Sequence, residues 1–189
     1  MSKLIGIVAM TTNGIIAVND KLPVKSKYDM RFFKSKTENN IVIMGKKTYE
    51  TLGKPLPNRL NIVLTKTPMD NIGAHERPYY TDSIIKALRH RGTDDTRDTY
   101  IIGGRQVYQS MIPICDELYV TVFDNMQGLI YEDNITTFPY SFNVHHQHTE
   151  SEKIGIGCSL LDYFNSYEVV DTFIEESGVS GRIFNFSKG

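Results

Sequence analysis

The sequence predicts a single α/β domain over residues 1–189, with a mostly parallel central sheet, helices on both faces and an antiparallel hairpin at the C-terminus. Three observations predict it. Short, nearly continuous apolar runs recur along the chain, as expected of strands buried on both faces. Helix-like segments lie between these runs, and strands alternating with helices build a parallel sheet with right-handed crossovers. The chain then closes on two runs of alternating apolar and polar residues around a glycine-containing turn.

In order, "KLIGIVAM" (3–10) is the first strand and Tyr28 to Lys36 the first helix. "NIVIM" (40–44) follows, then a helix from Lys46 to Leu52 that Pro55 and Pro57 keep from continuing. "LNIVLT" (60–65) is the third strand, and Asp82 or Ser83 can cap a helix from Ser83 to Arg91 that ends at Gly92. "TYIIGG" (99–104) runs into a helix from Arg105 to Ile112, and "ELYVTVF" (117–123) comes next. Beyond Phe123 the pattern weakens, and residues 140–166 read as a surface insertion. "YEVVDTFIEE" and "GRIFNFSK", joined through "SGVSG", form the closing hairpin.

At 189 residues the chain suits one well-buried core. A net charge of -1 with 23% charged residues gives no footprint for nucleic acid or an anionic membrane, so a small-molecule partner is expected. The N-terminal apolar run in "MSKLIGIVAM" is too short for a signal sequence, and no run approaches the ~18 residues of a membrane span. Cys115 and Cys158 lack Cys-x-x-Cys spacing, which supports neither a disulfide framework nor a zinc site. A reducing, cytoplasmic setting is expected.

Four stretches could carry chemistry. "YIIGGRQVY" and "IVIMGKKTYETLG" each run from strand through glycine into helix, where backbone N–H groups can approach a phosphate. Neither has G-x-G-x-x-G spacing, and Asn40 stands where a P-loop needs its first glycine. Lys46 and Lys47 at a helix start oppose the helix dipole, which favours an anionic ligand there over a plain solvated face. With Lys66 past a third strand end, all three junctions could face one dinucleotide. "HHQH" holds His145, His146 and His148, but without surrounding ligand spacing it reads as an exposed strand or loop, with no metal. In "DKLPVKSKYDMRFFKSKT" (20–37), Asp29 and Phe33 share a helix face. An acid beside Phe33 is partly desolvated and suits an amidinium-like donor, whereas the segment alone favours a surface pair with Lys25 or Arg31.

Together these stretches resemble the dihydrofolate reductase family, from Leu4 to about Pro139 and again over the final hairpin. The matching residues are "IVA" (7–9), "LP" (22–23) with Asp29 six residues beyond the proline, "FFKSKT", "VIMGKKTYETLGKPLPNRLNIVLT", "YIIGGRQVY" and "ELYVT". The resemblance implies NADPH-dependent reduction of 7,8-dihydrofolate, with Asp29, Thr121 and Leu22 at the catalytic centre. It implies that Asp29 holds the pterin ring through N3 and the 2-amino group, that Phe33 packs on the ring, and that Arg59 pairs with the glutamate α-carboxylate. Ile7, Val8, Met30, Leu52, Leu56 and Ile102 match the remaining substrate-side positions. On the cofactor side it implies Ala9, Ile16 and Asp20 near the nicotinamide and its covering loop. Gly45, Lys46, Lys47, Thr48, Ile102, Gly103, Gly104, Arg105, Gln106, Val107 and Tyr108 match positions near the phosphates. Leu64, Thr65 and Lys66 match those near the adenosine 2′-phosphate, which favours NADPH over NADH.

Two residues depart from the family pattern. Val24 replaces the usual tryptophan after "LP", in a chain without any Trp, and Ala17 replaces a glycine of the covering loop. A monomer is expected, with the 140–166 segment as the surface through which a homodimer would form. The competing readings are a pyrimidine reductase of riboflavin synthesis with the same architecture, and a folate- or nucleotide-binding protein weakened in catalysis.

Overall fold

The computed structural model describes residues 2–67, 78–90, 96–124, 126, 129, 132–145, 151–155 and 157–188, and the chain forms two compact units. Strand β1 (Leu4–Thr11) contributes residues to both, as does helix α1 (Lys27–Thr37). Neither break follows a linker, which is why the sequence reads as one domain.

The first unit comprises Met1–Ile7 and Phe32–Asp116. It holds β3 (Ile41–Gly45), α2 (Lys46–Leu52), β4 (Leu60–Leu64), β5 (Tyr79–Thr81), α3 (Ile84–Arg89), β6 (Thr99–Ile101) and α4 (Arg105–Met111). Its strands run in the order β1-β6-β3-β4-β5, every pair parallel. Ile41, Val42, Ile43 and Met44 in succession are fully buried, the mark of a strand covered on both faces. Ser83 caps α3 by accepting the Lys86 N–H, and Gly53 ends α2 at φ 72°, a left-handed cap suited to glycine. The strand expected over 99–104 stops at Ile101, because residues 102–104 leave the ladder to form the junction described below. Helix α3 ends at Arg89, and the expected stop at Arg91 and Gly92 falls outside the described residues.

The second unit comprises Val8–Arg31 and Glu117–Gly189. β7 (Glu117–Phe123), β12 (Ser166–Ile174) and β13 (Ser180–Ser187) form an antiparallel ladder with β13 between the other two. This is the C-terminal hairpin that alternation in the sequence predicts. β2 (Ile15–Val18) pairs with β8 (Ile135–Thr137), and β9 (Tyr140–His145) lies between β10 (Ser151–Gly155) and β11 (Cys158–Ser159). The 140–166 segment is thus more than surface: Phe142, Ile154, Leu160 and Phe164 are buried in the core with Phe184 and Phe186. Tyr140–His145 alternates apolar and polar residues, a strand signal present in the sequence, whereas β10 and β11, five and two residues long, show no such alternation. Arg182 on β13 ties this region together, its Nη2 lying 3.3 Å from both Asp124 Oδ1 and Glu152 Oε2.

No helix among the described residues is long and apolar enough to cross a membrane. His145 ends β9, while His146 and His148 lie outside the described residues. Among the described residues no group of three or more His, Cys, Asp or Glu is placed to hold a metal ion.

Candidate active site

Asp29 stands in the first turn of α1, three residues after Ser26. Ser26 starts the helix: its carbonyl accepts the Met30 N–H at 3.1 Å and its hydroxyl accepts the Asp29 N–H at 3.0 Å. The Asp29 side chain is half-buried, and the Thr121 hydroxyl on β7 hydrogen-bonds to it. Burial pushes its pKa above the ordinary carboxylate range, the Thr121 bond partly offsets this, and the negative charge of Glu175 adds to it. A carboxylate held in this way favours either a proton or a cationic, planar N–H donor. Its partner in the structure is therefore a hydroxyl on a neighbouring strand, in place of the Lys25 or Arg31 that the local segment suggests.

In the first unit, Phe33, Thr37 and Arg59 form a second polar point. The Arg59 Nε donates to Thr37 Oγ1 at 2.9 Å and Nη1 to the Pro57 carbonyl at 2.8 Å. The guanidinium lies 5.9 Å from the centre of the Phe33 ring. Burial draws the Arg59 pKa down, against the opposing charge of Glu38, yet the group stays cationic. A half-buried planar fork locked on one side is prepared to bind a carboxylate through its remaining donors.

The two strand-to-helix junctions meet in this same unit. Gly45 N–H donates to the Gly103 carbonyl at 2.7 Å, and Ile102 N–H to the Ile43 carbonyl at 3.0 Å. α2 begins after Gly45 and α4 after Gly104, and neither carries a side-chain cap. The junction is tight: a Cβ on Gly104 would lie 3.2 Å from Thr48 Oγ1 and one on Gly103 3.1 Å from the Tyr108 ring, and Gly103 has φ 112°, which L side chains rarely adopt. Tyr108 is anchored by its hydroxyl, which donates to the Ile7 carbonyl at 2.9 Å. The pairing register places Leu64 opposite both Gly45 and Thr81, so the end of β4 joins the same edge. Thr65 and the exposed Lys66 follow directly, with Thr65 N–H bonded to the Thr81 carbonyl. The carboxyl ends of parallel strands thus gather two uncapped helix starts and Lys46, Lys47 and Lys66, an arrangement suited to phosphate.

The other residues singled out by sequence divide by exposure. Ile7, Val8, Ile16 and Val107 are buried, Ala9, Leu56 and Ile102 half-buried, and Arg105 and Gln106 exposed. Asp20 is exposed on a left-handed turn at φ 63°. Leu22 and Met30 in the second unit are 55% and 54% exposed, and Leu52 in the first is 40% exposed. Val24, in place of the tryptophan, is buried. Sequence reasoning overlooked Ser26, although "SKYD" is a capping signature of serine followed three residues later by an acid. It also overlooked Glu175, for which no local signal exists.

A family model described as dihydrofolate reductase matches residues 3–165. Dihydrofolate reductase of Bacillus subtilis is 33% identical over 117 residues, which cover 61% of this chain and 66% of that enzyme. That of Haemophilus influenzae is 35% identical over 115 residues, covering 61% of this chain and 68% of the relative. A solved dihydrofolate reductase from Enterococcus faecalis, complexed with NADP(H) and RAB-propyl, matches 98% of this chain and 95% of its own with a TM-score of 0.71 at 27% identity. With the family model spanning most of the sequence, the chain belongs to the dihydrofolate reductase family.

Proposed function

We propose that this chain reduces 7,8-dihydrofolate to 5,6,7,8-tetrahydrofolate with NADPH, in support of one-carbon metabolism and thymidylate synthesis. The observation that carries the proposal is Asp29, a half-buried carboxyl bonded to Thr121 with its pKa raised by burial. Such a group pairs with the N3 and 2-amino N–H donors of a pterin ring, which match its two oxygens. Its charge then favours proton uptake at N5, with the proton arriving through water. Phe33 packs on the ring system, and Arg59 meets the glutamate α-carboxylate with its remaining N–H donors. Leu22 and Met30 in the second unit offer exposed apolar surface.

When bound, NADPH supplies the hydride that C6 receives. The uncapped starts of α2 and α4 and the nearby lysines suit its phosphates. Lys46 makes an exposed pair with Glu50 at 3.8 Å, which an arriving phosphate displaces at little cost. Thr65 and Lys66 are proposed to take the 2′-phosphate. Orientation of C6 towards the hydride donor supplies much of the acceleration. The exposed free thiol of Cys158 accords with a reducing cytoplasm, where we propose the enzyme acts as a monomer.

The test is NADPH consumption by purified protein with and without 7,8-dihydrofolate. Turnover that depends on dihydrofolate is expected, and NADPH consumption indifferent to it would remove the proposal. Presenting the ribosyl-pyrimidine intermediate of riboflavin synthesis in the same assay separates the two substrate classes.

A further inference from the structure

The first turn of α1 is held from a distance. Glu175, on the turn after β12, accepts the Ser26 hydroxyl at 2.8 Å and the Tyr28 N–H at 2.6 Å through one oxygen, Oε1. The same Ser26 hydroxyl accepts the Asp29 N–H. One carboxylate therefore caps the second helical N–H directly and the third through serine, and the third belongs to Asp29. Glu175 is itself fixed: its N–H donates to the Val179 carbonyl at 2.8 Å, its carbonyl accepts the Gly178 N–H at 2.9 Å, and its other oxygen accepts the Ser177 hydroxyl. Asp171 and Phe173, at two-residue steps before it, reach the same turn. Asp171 accepts the Tyr28 hydroxyl, and the Phe173 ring stacks on Tyr28 at 4.6 Å.

Resting on the reductase reading of Asp29, we propose that Glu175 is a positioning residue: by bonding to Ser26 and to the Tyr28 N–H, it fixes the first turn of α1 and so aims the Asp29 carboxylate at its ligand. An anion at this end of an 11-residue helix also lies with the helix dipole. Two effects follow. Loss of the cap frays the turn and lowers the binding-competent fraction of the enzyme. Loss of the charge removes a negative neighbour that holds the Asp29 proton on. The charged and titratable groups facing the pair are Tyr28 and Arg31 from α1 and Asp171 from β12, with the Thr121 hydroxyl from β7.

The experiment compares Glu175→Ala, Glu175→Gln and the neighbouring exposed Glu176→Gln with the parent chain. The readouts are dihydrofolate KM and kcat, and the titration of the Asp29 carboxyl followed by carbon NMR in the ligand-free protein. Glu175→Ala is expected to raise KM roughly five-fold, the scale of a lost helix cap. Glu175→Gln, which keeps an acceptor oxygen, raises it less. In both, the Asp29 titration moves to lower pH, while Glu176→Gln matches the parent. Folded Glu175 variants with unchanged KM and an unmoved Asp29 titration would overturn the proposal, even if their unfolding midpoints fell. Should Glu175→Ala not fold, Glu175→Gln decides through KM, read together with the titration. A parent chain inactive on dihydrofolate would count against the reductase reading, whereas the NMR titration judges the Glu175 role separately.

Discussion

Phe142 tests whether the 140–166 segment is a surface insertion or part of the core. Its side chain is 1% exposed, and its ring centre lies 4.9 Å from Phe186, 5.1 Å from Phe184 and 6.2 Å from Tyr167. Phe142→Ala removes the ring from a site walled by rigid aromatic neighbours, which cannot collapse to fill the space. Such truncations cost about 3–5 kcal/mol, and lost edge-to-face pairing adds to the upper part of that range. Against a total stability of about 5–15 kcal/mol this is a large share. In urea, with a slope of about 2 kcal/mol/M, the unfolding midpoint should fall by roughly 2 M. Phe142→Leu should fall less, and Asn143→Ala, at the next and exposed position, should stay within about 0.5 kcal/mol of the parent. A midpoint for Phe142→Ala within the range of Asn143→Ala would refute the packing argument.

Asp29→Asn should lower turnover by orders of magnitude at neutral pH, measured by dihydrofolate-dependent NADPH oxidation. The same variant carries a stability prediction. Because the Asp29 pKa is raised on folding, its ionised form disfavours the native state. The parent should therefore lose stability relative to Asp29→Asn as pH rises from the unfolded to the folded pKa. Below the unfolded value this pH-dependent difference should vanish, and urea titrations across that window would read the sign. Arg59→Lys should raise dihydrofolate KM about ten-fold with little change in kcat, since a point charge replaces a planar fork that binds ground and transition states alike; unchanged KM would remove Arg59 from the substrate side. Val24→Trp, which places the family residue at a buried position, should cost about 1–3 kcal/mol of stability by overpacking. Equal thermal midpoints for the two chains would show that the site already has room for the ring.

The sequence by itself determined the elements whose partners are near in the chain. A run such as "NIVIM" declares a doubly covered strand because each residue is apolar, and glycine followed by "KKTYETL" declares a helix start because the pattern changes period there. The α2 boundaries, the Ser83 cap and the antiparallel end hairpin could all be read in this way, while Asp29, Arg59 and the glycine pair stood out only by their resemblance to a family. Only the tertiary structure decided the rest. The short strands β9 to β11 are stabilised by one another and by phenylalanines from β13; β9 alternates as "YSFNVH", but only folding shows what buries its apolar face. Ser26 and Glu175 are 149 residues apart, and Thr121 reaches Asp29 from β7. Periodicity records which face of an element is buried, and it carries no information on which distant side chain arrives to satisfy a polar atom. The neighbours of Asp29 in the chain point to a surface pair, whereas its bond to Thr121 and its raised proton affinity depend on residues that only folding brings to it.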